Sequence, residues 1–172
     1  MKIEINNSQK LCRPDIAHIK SLLYMLMDKA ARLDPAARWS ELSVVLTDDD
    51  CIRPLKAHYF DRNEATDVIS LRYDPLPGDD EMLTGELFVN VQRALLMTRR
   101  TRQGWNASRE LALYLAHGCD HLMNSTDDDA AGYRRMRRRE LAWLSVPEIS
   151  RISRKLLINT PRNRTTKGNK KG

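Results

Sequence analysis

The sequence predicts an α+β fold, a single domain in which about five helices cover a small mixed four-stranded sheet. Segments with the two-residue alternation of strands and segments with the helical period follow one another in the order β-α-β-α-β-β-α-α-α. The length of 172 residues is enough for one domain with a hydrophobic core and too little for two substantial ones. No internal repeat interrupts this order.

The N-terminal half contains two predicted strands and two predicted helices. Apolar and polar residues alternate at 1–7, and residues 41–47 form a second, largely apolar strand. Between them, apolar residues at helical spacing predict a helix at 14–33. Three aspartates at 48–50 then cap a short helix that continues to Tyr59.

The C-terminal half contains two further strands, the loop between them and three helices. Strand residues are β-branched or alternating, and the loop contains two prolines and a glycine. Ser108 is the predicted N-cap of the helix that ends near Met123, where Asn, Ser and Thr favour a turn. The predicted ranges are 66–73 and 85–91 for the strands, 74–84 for the loop, and 92–98, 108–123 and 127–144 for the helices.

Positive charge is concentrated at the C-terminal end. The chain carries a net charge of +6, but residues 133–172 contain 13 Lys and Arg against two Glu, which leaves −5 for the first 132 residues. Such asymmetry is typical of contact with a polyanion, most often nucleic acid, although basic helix faces can also be merely solvated. Residues 159–172 lack apolar periodicity and are predicted to be a disordered basic tail after a domain at 1–158.

Composition points to a cytoplasmic protein without a membrane segment. No apolar run approaches the roughly 20 residues that cross a bilayer, and the first ten residues lack the apolar core of a signal peptide. Three scattered cysteines fit a reducing compartment better than a disulfide framework.

A stretch from His117 to Asp127, HGCDHLMNSTD, has the pattern of a metal site. His117 and His121 are four apart and therefore project from one helix face, where one ion can join them. A pair alone also arises by chance, so the acid after the predicted turn adds weight. Asp127 is the first carboxylate there, with Asp128 and Asp129 as alternatives. Two imidazoles and a carboxylate suit zinc, whose bound water attacks phosphodiesters or peptide carbonyls.

Neighbours of the two histidines refine this prediction. Gly118 occupies the position where H-E-x-x-H metalloproteases have their glutamate base, which argues against ordinary proteolysis. Cys119 is rotated about 200 degrees from His117 on a helix and is predicted to lie in the core. Asp120 either orients a ligand from behind or lies at a solvated edge.

These residues resemble a known family, the YbeY endoribonucleases, bacterial rRNA maturation factors that carry zinc on an H-G-x-x-H-x-x-x-x-x-H motif. His117, Gly118 and His121 match its start. TDVIS at 66–70 and GELFV at 85–89 resemble two strand motifs of the family, in the correct order. The resemblance covers roughly residues 40–140.

Two positions depart from the family pattern. Asp127 stands where the family has its third histidine, and a carboxylate remains a legitimate zinc ligand. Phe60 stands where the family has an arginine, after Tyr59. Arg62 lies two positions later, and we predict that it replaces the lost phosphate contact as a catalytic residue.

The resemblance implies a zinc-dependent, single-strand endoribonuclease that processes the 3′ end of 16S rRNA and acts in ribosome quality control. One zinc ion, precursor rRNA and the ribosome are the expected cofactor and partners, whereas DNA is not expected. A basic surface is predicted to attract RNA, formed by Arg134, Arg135, Arg137, Arg138 and Arg139. Two alternatives remain, a catalytically impaired RNA-binding factor that retains the metal site and a metal-dependent hydrolase of another substrate such as a peptide.

Overall fold

The structure, a computed structural model, describes residues 1–75, 82–97 and 105–158. The predicted tail at 159–172, the middle of the predicted loop and the last residue of the predicted helix at 92–98 lie outside these residues. The strands are β1 (Lys2–Asn7), β2 (Arg13–Pro14), β3 (Trp39–Thr47), β4 (Val68–Tyr73), β5 (Leu83–Asn90) and β6 (Leu157–Ile158). The helices are α1 (Ile16–Ala30), α2 (Asp49–Phe60), α3 (Val91–Met97), α4 (Ala107–Leu122), α5 (Ala130–Ser145) and α6 (Pro147–Ser153).

The main sheet has four strands in the order β1-β3-β5-β4. Strands β1, β3 and β5 are parallel, and β4 joins the edge antiparallel to β5, with Val68 opposite Val89. The α+β fold and the mixed four-stranded sheet predicted from the sequence are therefore confirmed. Because the edge strand β4 carries the TDVIS segment, its start lies beside the helix with the two histidines.

Helix α4 runs through the centre of the domain. It contacts β4 and β5 on one side and α1, α3, α5 and α6 on others, and almost every residue from Ala107 to Leu122 is buried. Gly118 faces the sheet, where a Cβ atom would lie 2.9 Å from Leu87 Cδ2. The missing side chain thus lets α4 approach β5 closely, and the glutamate of an H-E-x-x-H protease has no room at this position.

Two small elements were not predicted from the sequence. Helix α6 has only seven residues, and β2 and β6 form a separate two-stranded sheet of two residues each. Periodicity needs a longer window than either provides, so these elements depend on their surroundings. Six helices are therefore present in the described residues, rather than about five.

The starts of α4 and α5 differ from the prediction in ways that affect the site. Asn106, not Ser108, caps α4, because the Asn106 side chain accepts the backbone N–H of Arg109 at 2.9 Å. The hydroxyl of Ser108 instead accepts the N–H of Leu157 at 3.0 Å and ties the small sheet to α4. Helix α5 begins three residues later than predicted, with Asp129 as its N-cap, and this leaves Asp127 in the preceding turn.

No helix in the described ranges is both long and apolar enough to span a membrane. Cys119 is fully buried, as the helical wheel predicts, and burial together with the charge of Asp120 raises the pKa of its thiol to about 12. Cys51 is exposed at the start of α2, and Cys12 is half-buried.

Thiol labelling checks this packing. We expect a thiol reagent at pH 8 to modify Cys51 of the native protein first and Cys12 more slowly, whereas Cys119 reacts only in denaturant, because reagent access and thiolate formation both require opening of the core. Mass mapping of the labelled peptides gives the result. Cys51→Ser is the control that removes the fast phase, and native labelling of Cys119 at the rate of Cys51 would contradict the described packing.

Candidate metal centre

His117, His121 and Asp127 converge at the C-terminal end of α4. The two Nε2 atoms are 3.1 Å apart, and they lie 3.5 and 3.7 Å from the two carboxylate oxygens of Asp127. Within residues 1–75, 82–97 and 105–158, these three side chains are the only group of three His, Cys, Asp or Glu residues arranged to hold a metal ion. The structure thus brings together the three residues that the sequence predicts as metal ligands.

A sharp turn after α4 brings Asp127 back to the histidines. The helix ends with Met123 as its C-cap, and Asn124 has a left-handed backbone with φ of 59°. Asn tolerates this conformation better than most residues with a side chain. Asp129 is occupied as the N-cap of α5, so Asp127 is the carboxylate that reaches the imidazoles.

Hydrogen bonds fix both imidazole rings through their Nδ1 atoms. The Nδ1–H of His121 donates to the carbonyl oxygen of Ser125 at 2.9 Å, since a carbonyl can only accept. The Nδ1 of His117 lies 2.6 Å from Oε1 of the fully buried Glu140, whose carboxylate favours a proton on that nitrogen. In the neutral rings, both Nε2 atoms then present lone pairs to each other, and either a proton or a metal ion between them satisfies this arrangement.

The charges around His117 also favour a cation. Burial alone lowers the pKa of this imidazole, but the hydrogen bond and charge of Glu140, with the nearby charges of Asp67 and Asp127, outweigh burial and raise the pKa above its ordinary value. Only 10% of the His117 side chain is exposed. The centre is therefore a semi-enclosed place where positive charge is stabilised.

The distances suit a small tetrahedral ion. With metal–ligand bonds of about 2.0–2.1 Å, neighbouring ligand atoms of a tetrahedral zinc site lie roughly 3.3 Å apart. The distances of 3.1, 3.5 and 3.7 Å among the three donors are close to this value. A zinc ion held by three protein ligands would keep a fourth position for water. A cavity of about 470 Å³, whose lining includes His121 and Asp127, lies beside these donors.

A buried ion pair supports the turn from behind. Asp120 is fully buried and accepts two hydrogen bonds from Arg139, at 2.6 and 2.9 Å. The same guanidinium donates to the hydroxyl of Ser125 at 2.9 Å, and the carbonyl of Ser125 holds His121. Of the two roles that the sequence left open for Asp120, the structure supports orientation from behind, through Arg139, and excludes a solvated edge.

The predicted basic surface on α5 requires a correction. Arg134, Arg135 and Arg138 are exposed, whereas Arg139 is paired with Asp120 and Arg137 lies 3.3 Å from the buried Glu140. The two paired arginines neutralise buried acids where α5 packs against α4. Only three of the five arginines therefore remain for a charged partner.

Glu140 was missed by reasoning from sequence. A signal was present, because Glu140 is four residues after Met136 and three before Trp143, and all three lie on the buried face of α5. An acid on the apolar face of a helix needs a buried partner.

Cations and an aromatic ring line the cavity beside the triad. Lys56, Phe60 and Arg62 come from the end of α2 and the residues after it, and they share the cavity with His121 and Asp127. The predicted contact residue Arg62 is thus close to the centre; its side chain is 69% exposed and 3.7 Å from Glu64. The contribution of Lys56 was not predicted from the sequence.

Comparison with known proteins identifies the family. A model of the family described as Endoribonuclease YbeY matches residues 4–146. The chain belongs to the endoribonuclease YbeY family. The resemblance read from the sequence motifs is thereby confirmed.

Curated members of the YbeY family cover much of the chain. Endoribonuclease YbeY of Moorella thermoacetica is 30% identical over 154 residues, which is 84% of this chain and 96% of the relative. Endoribonuclease YbeY of Salinibacter ruber is 35% identical over 112 residues, 62% of this chain and 70% of the relative. The solution structure of TM1509 from Thermotoga maritima has the same fold, with a TM-score of 0.54 and 16% identity over 93% of this chain and 99% of that one.

Removal of the Arg139 guanidinium tests the support of the turn. We expect Arg139→Met to lower the free energy of unfolding by roughly 2–3 kcal/mol, because it leaves the charge of Asp120 buried without a partner. Urea denaturation measures the change. Arg135→Met, an exposed position on the same helix, is the matched control and should change stability by less than about 0.5 kcal/mol. Equal effects of the two substitutions would show that the Asp120–Arg139 pair does not support the fold.

Proposed function

We propose that the protein is a zinc-dependent endoribonuclease that cleaves single-stranded RNA. The observation that carries this proposal is the pair of opposed Nε2 atoms with Asp127 beside them, in a chain of the YbeY family. The named relatives are endoribonucleases, which supports RNA as the substrate. One zinc ion held by His117, His121 and Asp127 is the cofactor.

Zinc supplies Lewis acidity, which lowers the pKa of water to about 7 and provides a nucleophile at neutral pH. The residues of the chain arrange the ligands for this chemistry. Glu140 and the carbonyl of Ser125 hold the two imidazoles through Nδ1, which leaves both Nε2 atoms beside Asp127. Because both rings are fixed in advance, little reorganisation is needed when the ligands engage.

Arg62 is proposed to contact the scissile phosphate. It lines the cavity with His121 and Asp127, and its pairing with Glu64 is exposed and weak. A guanidinium binds phosphate with two parallel hydrogen bonds, which suits the trigonal-bipyramidal transition state of phosphoryl transfer. The side chain of Arg62 is long and exposed, and we propose that its length offsets its displacement by two residues from position 60, where the family has its arginine.

The exposed basic residues are proposed to hold the rest of the RNA. Arg134, Arg135 and Arg138 project from α5, which starts directly after Asp127 and Asp129. Their charge raises the local concentration of a polyanion near the centre. The basic residues of the proposed tail at 159–172, after a domain at 1–158, extend this attraction.

The biological setting is proposed from the family. It comprises rRNA maturation in the cytoplasm, with processing of the 16S 3′ end, ribosome quality control, and precursor rRNA and the ribosome as partners. Three free thiols are consistent with a reducing compartment.

A second candidate function is an RNA-binding factor with impaired catalysis. Phe60 in place of the family's arginine favours it, because a residue that grips phosphate is lost. This candidate predicts salt-dependent RNA binding without turnover.

Zinc content and RNA cleavage, measured together, test the centre. We expect the purified protein to contain about one zinc per chain and to cleave a single-stranded RNA, and chelation to abolish cleavage until zinc is restored. His117→Ala should lose the metal and reduce cleavage by about 100-fold or more, because two ligands hold the ion poorly. His18→Ala, on α1 and outside the centre, is the control. Unaltered cleavage by His117→Ala would contradict the metal mechanism, and binding without cleavage by the zinc-loaded protein would favour the second candidate.

The salt dependence of RNA binding tests the basic surface. Replacement of Arg134, Arg135 and Arg138 by alanine should reduce the slope of log affinity against log salt by about 2, since each phosphate contact on a single strand contributes about 0.7. Fluorescence anisotropy with a labelled RNA measures the slope. Alanine at Arg13, Lys20 and Arg32, three exposed cations on the α1 side, is the matched control. An equal slope for the two triple variants would refute a specific role for α5.

A further inference from the structure

Phe60 is an exposed aromatic side chain in the wall of the catalytic cavity. It is the last residue of α2, 46% of it is exposed, and it lines the same cavity as His121 and Asp127. An exposed aromatic ring in a cavity wall offers a flat apolar face on which a ligand can stack. We propose that Phe60 and Lys56 form a nucleotide-binding subsite, in which the ring stacks on an unpaired base and the ammonium group contacts the adjacent phosphate. This inference rests on the proposed function.

Lys56 and Phe60 are held together as a unit. They are four residues apart on α2, and the Lys56 ammonium lies 4.4 Å from the centre of the ring. This cation–π contact restrains both side chains at the cavity wall. Lys56 forms no ion pair with any residue in 1–75, 82–97 or 105–158, so its charge is available to an anion.

A left-handed residue returns the chain to the cavity after the ring. Asp61 ends α2 with φ of 54°, and the next residue, Arg62, lines the cavity again. The ring is therefore flanked by a cation on each side along the chain. This combination of an aromatic platform with neighbouring positive charges matches single-stranded nucleic acid, whose bases stack while its phosphates require cations.

The charge balance of the cavity favours anion binding to the metal-loaded protein. Lys56 and Arg62 oppose the carboxylates of Asp127 and Asp128, so the cavity wall is close to neutral without an ion. A divalent cation at the centre makes the cavity positive. The subsite is thus suited to a nucleotide whose phosphate also reaches the metal, and stacking accepts any base because every base has a π face.

The decisive experiment compares a complete RNA with RNAs that lack one base. An eight-nucleotide RNA and a series with a single abasic residue at each position are cleaved by zinc-loaded wild type, Phe60→Ala and Tyr24→Ala. Tyr24 is a matched control, an aromatic residue on α1 that is 43% exposed and outside the cavity lining. We expect Phe60→Ala to lower kcat/KM on the complete RNA by roughly 5- to 150-fold, the range that a lost base–aromatic stack produces.

One abasic position should identify the stacked base. At that position, wild type and Tyr24→Ala lose activity to the same extent, whereas Phe60→Ala shows no further loss because the stack is already absent. Phe60→Trp should retain activity, and its indole fluorescence should be quenched when RNA binds. Zinc content and thermal unfolding of all variants should equal those of wild type, which separates a subsite from a structural role.

The salt dependence of RNA binding tests the role of Lys56 separately. Lys56→Met should reduce the salt slope of RNA binding by about 0.7, the value for one phosphate contact on a single strand, whereas Lys29→Met, a half-buried lysine on α1, should not. An unchanged slope overturns the assignment of Lys56.

The failures of the two proposals are distinguishable. If wild type neither cleaves nor binds RNA, the proposed function itself fails and the subsite falls with it. If wild type cleaves RNA but Phe60→Ala behaves as Tyr24→Ala on every substrate, only the stacking subsite is overturned. Loss of activity by Phe60→Ala with the same abasic penalty at all positions as wild type would likewise overturn it.

Discussion

The burial of α4 is the constraint on which the rest of the structure depends. A helix in the centre of a domain cannot leave polar side chains without partners, because an unpaired buried charge or imidazole costs several kcal/mol. His117 and Asp120 therefore require an acid and a base from a neighbouring element, and Glu140 and Arg139 supply them from α5. The contacts that pair these buried polar groups also orient the imidazoles. The same contacts therefore determine both the stability of the fold and the geometry of the site.

Helix α5 combines two functions within one run of arginines. Arg137 and Arg139 are half-buried and lie beside the buried acids Glu140 and Asp120, whereas Arg134, Arg135 and Arg138 are exposed. The helical period of 3.6 residues distributes consecutive arginines over both faces. The number of arginines in α5 is consequently larger than the number that is free to contact a polyanion.

Asp127 changes the electrostatics of the centre as well as its donor set. A carboxylate in place of a neutral imidazole leaves one unit less positive charge around a bound divalent ion, which weakens attraction for phosphate. Lys56 and Arg62 supply positive charge at the cavity wall, which they share with Phe60. Asp127 and Phe60 therefore line one cavity with these two cations.

The sequence by itself determined the fold class, the end of α4 and the convergence of His117, His121 and Asp127. These features depend on the local spacing of residues, on the turn preference of Asn124 and on short sequence motifs that follow one another in the expected order. The tertiary structure alone decided which arginines pair with buried acids, that Glu140 holds His117, that Asn106 caps α4, and that α6 and the small sheet exist. Each of these depends on contacts between residues distant in sequence, and a local pattern carries no information about the partner that packing brings to it.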